Sequence, residues 1–272
     1  MELDKVRYYS PLRFVYGLLI FGSALLKTGL AKLLYSKKRR VFGSIDEDCF
    51  ILEKADNDPE NARNIAIINE AFNETSKLKS VVDGAFVDWT VQSNTHYLIP
   101  NKASKNALVD SFHRSKILSR LSAHHGFEFY CKSASVFKTQ ASESTGTTSV
   151  NFHRDGHPPF TYKLMIYLTD VDECSGAFSI KPGSFKKMIL PTFGSYNYKR
   201  NLEHSNYKKF GLLGIAGTKV LFKNNALHAG GRTKKGERVV VTFLLHPRFS
   251  SRQESSALSI DWSVGGREYS IL

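Results

Sequence analysis

A chain of 272 residues with 42% hydrophobic residues has ample length to bury a core, as one large domain or one domain with an appendage. Its three cysteines, Cys49, Cys131 and Cys174, are odd in number and scattered; this excludes a disulfide framework and a Cys-x-x-Cys metal site, and fits a reducing, cytoplasmic compartment. The formal net charge of +13 is concentrated in two places: residues 1–40 carry nine Lys/Arg against Glu2 and Asp4, and residues 181–211 carry seven against Glu203. The rest of the chain is balanced, so the protein is not basic all over, and each basic region needs its own reason.

The first basic region combines charge with apolar residues. Residues 14–26 carry no charge between Arg13 and Lys27, and Leu30, Leu33, Leu34 and Tyr35 lead into Lys37-Lys38-Arg39-Arg40. The uncharged run is shorter than the roughly 20 residues that span a bilayer. Lys27 stands where a signal peptide would carry small cleavage-site residues. Two readings of residues 1–40 remain. One is a basic amphipathic arm on an anionic membrane surface; the other is an arm packed on the protein's own core or on a second subunit of a homo-oligomer. Aromatic, Leu-rich and cationic residues together favour the lipid surface, at the inner face of a membrane.

Residues 41–272 read as a single further domain. Val41 to Ile51 is short and strand-like. Pro59 sits at a probable first helical position after Asp56-Asn57-Asp58, and Ile65, Ile68 and Phe72 follow at core-facing helical spacing. Phe86 to Leu98 alternates as strands do, and Ser104 to Leu121 suggests one rather polar helix. His124 and His125 end that helix without a third ligand at metal-binding spacing, and read as polar helix-end residues. From about 125 to 247, at least six strand-like runs are separated by Gly-, Ser- and Asn-rich turns, a pattern that favours a sandwich or barrel over a βαβ sheet. Phe127 to Phe137, Tyr162 to Leu168, Gly217 to Lys223 and Val239 to Leu245 are the clearest of them.

Between the first two of these runs stands Asn151-Phe152-His153-Arg154-Asp155-Gly156-His157. In extended chain His153 and Asp155 point the same way, because side chains repeat every two residues. An imidazole and a carboxylate on one side make two-thirds of a facial two-His, one-carboxylate Fe(II) site. His228 ends a short apolar run ahead of Gly230-Gly231, where the backbone can turn tightly, and supplies the third candidate ligand. Ten residues on, Arg238 opens a β-branched strand. An arginine there is costly to bury unless it meets an anion, and its planar fork suits a carboxylate. Arg232 competes with it for that role. His157 reads as a loop residue; Lys138, Tyr162, Tyr167 and Ser179 are further candidates for lining a pocket.

The set His153-x-Asp155, Ser175-Gly176-Ala177-Phe178-Ser179-Ile180-Lys181-Pro182-Gly183-Ser184-Phe185, His228 and Arg238 resembles the phytanoyl-CoA dioxygenase-like branch of the Fe(II)/2-oxoglutarate oxygenases. The likeness covers roughly residues 125 to 247, and Phe185 stands where the family has histidine. The resemblance implies a mainly β (α+β) fold, a double-stranded β-helix (jelly roll) core with N-terminal helices packed on it. It implies that His153, Asp155 and His228 hold Fe(II), that Arg238 takes the distal carboxylate of 2-oxoglutarate, and that the reaction is hydroxylation with release of succinate. Because Asp155 is a carboxylate and not a small residue, chloride binding and halogenation are disfavoured.

Met188 to Gly211 reads as an insertion over the site mouth, with aromatics beside lysines able to grip a sugar, phosphate or base, or equally as a solvated surface loop with a few aromatics folded under it. With the N-terminal arm it points to an anionic, membrane-associated lipid, glycolipid or acyl-thioester substrate, hydroxylases of the Kdo sugar of lipopolysaccharide being one class that fits. The alternatives are a nucleic-acid demethylase of the AlkB type, suggested by the Arg232/Arg238 spacing, and a non-catalytic jelly-roll binding module.

Overall fold

The computed structural model describes residues 42, 45–74, 95–98, 100–141, 152–155, 160–186, 207–248, 261–264 and 267–269, with 22, 23 and 26 of the N-terminal segment. The rest of the expected 1–40 arm, residues 86–94, His157 and residues 188–206 of the expected insertion lie outside the described residues. No helix among the described residues is long and apolar enough to cross a membrane.

Elements follow in the order α1 (Ile45–Asp48), β1 (Phe50–Glu53), α2 (Pro59–Glu74), β2 (Thr95–Leu98), α3 (Lys102–Arg114), α4 (Ile117–His125), β3 (Phe129–Gln140), β4 (Tyr162–Tyr167), β5 (Phe178–Lys181), β6 (Phe210–Leu212), β7 (Lys219–Lys223), β8 (Leu227–Ala229), β9 (Glu237–Pro247), β10 (Asp261–Val264) and β11 (Arg267–Tyr269). The major sheet has eight strands in the order β1-β7-β4-β9-β3-β10-β11, with β2 also paired to β3; the minor sheet is β6-β5-β8. The backbone of His153 bridges to His228 and so lengthens the minor sheet beyond β8. Two sheets facing across one core make the expected jelly roll. The strands beyond residue 247 add to the edge of the major sheet, where the sequence reading had ended the core.

Strand alternation divides the major sheet into two faces. Leu164 and Ile166 of β4, Leu221 of β7 and Val239, Val241, Phe243 and Leu245 of β9 pack with helix residues Ile68, Leu108, Phe112 and Leu121. Met165 and Tyr167, Val220 and Phe222, and Val240 point the other way, onto Phe178, Ile180 and Leu212 of the minor sheet. Each fully buried Leu or Phe contributes about 1.5–3 kcal/mol of transfer energy, so a one-residue slip of β4 or β9 would exchange both cores at once. The space between the sheets is the cup in which the candidate site lies.

The helices start and stop for local reasons. Pro59 opens α2, and Asp58 Oδ1 accepts from Glu60 N at 3.0 Å. Asn101 caps α3 by accepting from Ser104 N at 2.9 Å. The expected single helix over 104–121 is two: Lys116 adopts a left-handed φ of 51° and separates α3 from α4. Gly126, at φ 79°, closes α4 with its N–H on Ser122 O at 2.8 Å. Residues 41–51, expected as strand, hold the short helix α1 before β1. His124 and His125 are the last two residues of α4, as expected, and their side chains are buried. They are 1% and 6% exposed, with His125 Nε2 2.7 Å from Tyr162 Oη and His124 Nε2 3.3 Å from Asp46 Oδ2.

Candidate metal centre

His153, Asp155 and His228 converge although seventy-odd residues separate the first pair from the third. Their ligand atoms all lie within 4.8 Å of one another. The cause is the bridge between the two histidine backbones, in which each N–H donates to the other's carbonyl, at 2.9 and 3.0 Å. Their rings stand 4.5 Å apart between centroids. Asp155, two residues on from His153, points to the same side. Its Oδ1 is 3.5 Å from His153 Nε2 and its Oδ2 is 3.5 Å from His228 Nε2.

The tautomer of His228 follows from its neighbour. Nδ1 lies 2.8 Å from Ala226 O, and a carbonyl only accepts, so Nδ1 carries a proton and Nε2 is the nitrogen turned toward Asp155. Orientation of a ligating imidazole through its other nitrogen is the usual device at metal sites. Phe178 and Phe222, 5.7 and 5.2 Å from the His228 ring between centroids, wall the site from beneath.

Asp155 is nearly buried. Burial alone would raise its pKa, but Lys163, then His228 and His153, outweigh that and hold it well below the ordinary carboxylate range. Lys163 Nζ donates to Asp155 Oδ2 at 2.5 Å. Lys163 was not singled out from the sequence, though strand parity contained the signal: it shares a β4 face with Met165 and Tyr167, the face that looks into the cup.

Arg238 points into the interior, 6% exposed. Its Nη1 donates to Gly176 O, its Nε has no hydrogen-bond partner among the described residues, and burial pulls its pKa down to about 10. A buried guanidinium with an orphaned donor and no carboxylate beside it among the described residues is a costly arrangement that an anionic ligand would relieve. Arg232, the other arginine weighed for that role, is exposed, whereas Arg238 is buried.

Of the four pocket candidates only Tyr167 faces the cup; its hydroxyl donates to Leu212 O at 2.7 Å. Tyr162 faces the helices and His125. Lys138 lies over the Phe72 ring and 3.3 Å from Glu237, on the helix side. Ser179 alternates with Phe178 and Ile180 and therefore faces away from the cup. Phe185, in the place where the family has histidine, packs against the inter-sheet core with Lys223 Nζ 4.2 Å from its ring centroid. Two further polar groups lie on the cup side of the major sheet: Thr161 and Asn224, paired through Asn224 N to Thr161 O at 3.0 Å. Both are buried, and their side-chain polar atoms have no partner among the described residues.

By sequence, no family model matches the chain, and no curated protein is significantly similar to it. By structure it is similar to several solved proteins. SnoN, the non-heme alpha ketoglutarate dependent epimerase from nogalamycin biosynthesis, solved in complex with Fe3+, alpha ketoglutarate and nogalamycin RO, aligns at TM-score 0.56 and 12% identity over 76% of this chain and 82% of its own. EctD from S. alaskensis, solved with 2-oxoglutarate and 5-hydroxyectoine, aligns at 0.55 and 16% identity over 81% and 86%. The apo non-heme monooxygenase ThoJ aligns at 0.51 and 16% identity over 76% and 77%. At these identities the likeness is one of fold, and it agrees with the jelly roll described above.

Proposed function

We propose that the chain is an Fe(II)- and 2-oxoglutarate-dependent dioxygenase that hydroxylates an anionic, membrane-associated lipid or glycolipid. The observation that carries the oxygenase reading is the pairing of two features in one cup: the His153–Asp155–His228 cluster and the buried guanidinium of Arg238 with its free Nε. Two imidazoles and one carboxylate leave open coordination positions and suit ferrous iron, while a fork-shaped cation suits a carboxylate. SnoN and EctD, which share the fold, were solved with alpha ketoglutarate or 2-oxoglutarate bound.

In this reading His153, Asp155 and His228 hold the metal, and Arg238 holds the distal carboxylate of 2-oxoglutarate, orienting it along the cup. When bound, the metal and 2-oxoglutarate would supply the chemistry by which O2, the oxidant, places one oxygen atom in a substrate C–H bond to give C–OH and the other in succinate, with release of CO2. The protein's own contribution is geometric and electrostatic. Ala226 O fixes the His228 tautomer, Phe178 and Phe222 exclude water beneath the ligands, and Tyr167 keeps its proton, its pKa pushed up to about 12 by burial.

The substrate class rests on charge and exposed apolar surface. The two basic segments attract anionic headgroups. At the described end of the second, exposed Lys208 and Lys209 adjoin Phe210, Leu213 and Ile215, which are 39%, 44% and 62% exposed. Cations beside apolar tips are the composition of a lipid-facing surface. The location that follows is peripheral, at the inner face of a membrane.

The test is incubation with Fe(II), 2-oxoglutarate, O2 and lipid extracts, with succinate and product mass as readouts. The expected result is succinate formation that needs Fe(II) and O2, with one lipid fraction gaining the mass of one oxygen atom. No succinate under any condition would leave a non-catalytic binding module. Succinate with salt-steep oligonucleotide binding and no lipid product would favour the demethylase reading.

A further inference from the structure

Lys163 is out of place on β4. Its neighbours Tyr162 and Leu164 face the helices, so Lys163 projects into the cup with Met165 and Tyr167. Its direct cross-strand partners are Phe222 on one side and Leu244 on the other. A lysine in such surroundings is unfavourable without a counter-charge, and the carboxylate it meets is a candidate metal ligand, Asp155, at 2.5 Å from Nζ. The side chains are 26% and 10% exposed, so water does little to screen them. The cluster divides the two carboxylate oxygens unequally. Oδ2 takes the ammonium and sits 3.5 Å from His228 Nε2, whereas Oδ1 faces only His153 Nε2, also at 3.5 Å.

We propose that Lys163 is a positioning residue of the metal centre: its ammonium is the counter-charge of Asp155 while no ion is bound, and it reserves Oδ2 so that Asp155 offers an ion the single donor Oδ1. This rests on the reading of His153, Asp155 and His228 as metal ligands. Two consequences follow from charge alone. Without an ion, Lys163 is the shortest contact of a buried carboxylate that would otherwise have only the two imidazoles at 3.5 Å. With an ion, the ammonium lies beside a doubly charged cation and shares its carboxylate ligand, which weakens metal binding. Lys163 therefore stabilises the metal-free protein and loosens the metal.

The experiment titrates the full chain with Co(II), a redox-stable probe, following visible absorption and melting temperature in wild type, Lys163→Met, Lys163→Gln and Lys163→Arg. The expected result for both Met and Gln is Co(II) binding tightened about tenfold, the scale of effect that groups behind metal ligands exert. Their metal-free melting temperature should fall, their Co(II)-induced rise in melting temperature should exceed that of wild type, and their Co(II) spectrum should change as Asp155 gains a second donor oxygen. Arg should restore the wild-type affinity and spectrum. Gln keeps a hydrogen-bond donor without the charge, so Gln behaving as wild type would overturn the charge role. Unchanged or weakened Co(II) affinity in Met and Gln would overturn the proposal outright. A wild-type protein that binds no Co(II) would instead remove the metal-centre reading on which it rests, an outcome distinct from metal binding that is insensitive to residue 163.

Discussion

His153 and His228 are hydrogen-bonded to each other through their backbones, N–H to carbonyl in both directions at 2.9 and 3.0 Å. The bridge closes the minor sheet and delivers two imidazoles to one point, so the alignment of the candidate ligands does not depend on an ion being present. Side-chain substitutions should accordingly remove metal binding without unfolding the protein. His153→Ala and His228→Ala are each expected to lower Co(II) affinity by more than about 100-fold, since even residues behind the ligands cost 10–100-fold. Circular dichroism should remain that of the wild type. Loss of the β signal in either variant would show that the rings, not the backbone bridge, hold these strands together.

Arg238 gives a prediction with opposite signs. Its guanidinium is buried with one donor unsatisfied, so replacing it with an apolar residue removes a desolvated charge. Such replacements are often neutral or stabilising by about 1–4 kcal/mol. Arg238→Leu should thus match or exceed the wild-type melting temperature while abolishing any stabilisation by added 2-oxoglutarate. Arg238→Lys keeps the charge but not the planar fork and should weaken 2-oxoglutarate binding by about 10- to 100-fold, on the basis of about 1.5–3 kcal/mol for a charge-assisted hydrogen bond. Thermal shift against 2-oxoglutarate concentration measures both.

Chemistry with a strict local code was legible in the sequence. His-x-Asp needs only strand periodicity to align its two groups, and an arginine heading a β-branched strand announces itself by its cost. What a single sequence does not contain is which parity of a buried strand faces which core. Tyr162 and Tyr167 are both pocket candidates by sequence, yet they are five positions apart in an extended strand and cannot share a face. Tyr167 faces the cup and brings Lys163 with it, while Tyr162 goes to the helices. The break between α3 and α4 was hidden for another reason. Lys116 adopts the left-handed conformation usually signalled by glycine or asparagine. The helix-end place of His124 and His125 is legible in the sequence, but their burial is not, because it depends on distant partners, here Asp46 and Tyr162.

Gly176 and Gly231 meet backbone to backbone where the turn after His228 passes the end of the minor sheet. A Cβ on Gly231 would collide with Ala177 O and lie 2.6 Å from Gly176 C; a Cβ on Gly176, whose φ is +87°, would lie 2.6 Å from Gly231 O. These neighbours are backbone and cannot rotate away. Gly176 O also accepts from Arg238, so the displacement would be passed to the candidate carboxylate site. Gly231→Ala should cost about 1–3 kcal/mol of stability and weaken 2-oxoglutarate binding together with it. Gly211→Ala, with nothing within 4 Å of its added Cβ, is the control and should change neither. Urea unfolding in parallel with the 2-oxoglutarate titration separates the two effects.

The acid limb of stability should carry the signature of the α2–α3 contact. Asp110 is held below the ordinary carboxylate range first by its hydrogen bond from Arg114, at 2.7 Å, and then by that from Asn64, at 2.8 Å. A carboxylate whose folded-state pKa is depressed binds fewer protons folded than unfolded near that pKa. Its contribution is therefore fully present above the unfolded value of about 3.9 and is lost as pH falls through the folded value. Asp110 is 44% exposed on its side chain, so solvent screening limits the contribution to at most about 1 kcal/mol. Asp110→Asn should be less stable than wild type by a few tenths to about 1 kcal/mol at neutral pH, and the difference should shrink as pH falls through about 4 and vanish once both proteins carry a neutral side chain there. Urea midpoints measured from neutral pH downward check this; a difference that persists unchanged into strong acid would mean that packing rather than charge accounts for the contact.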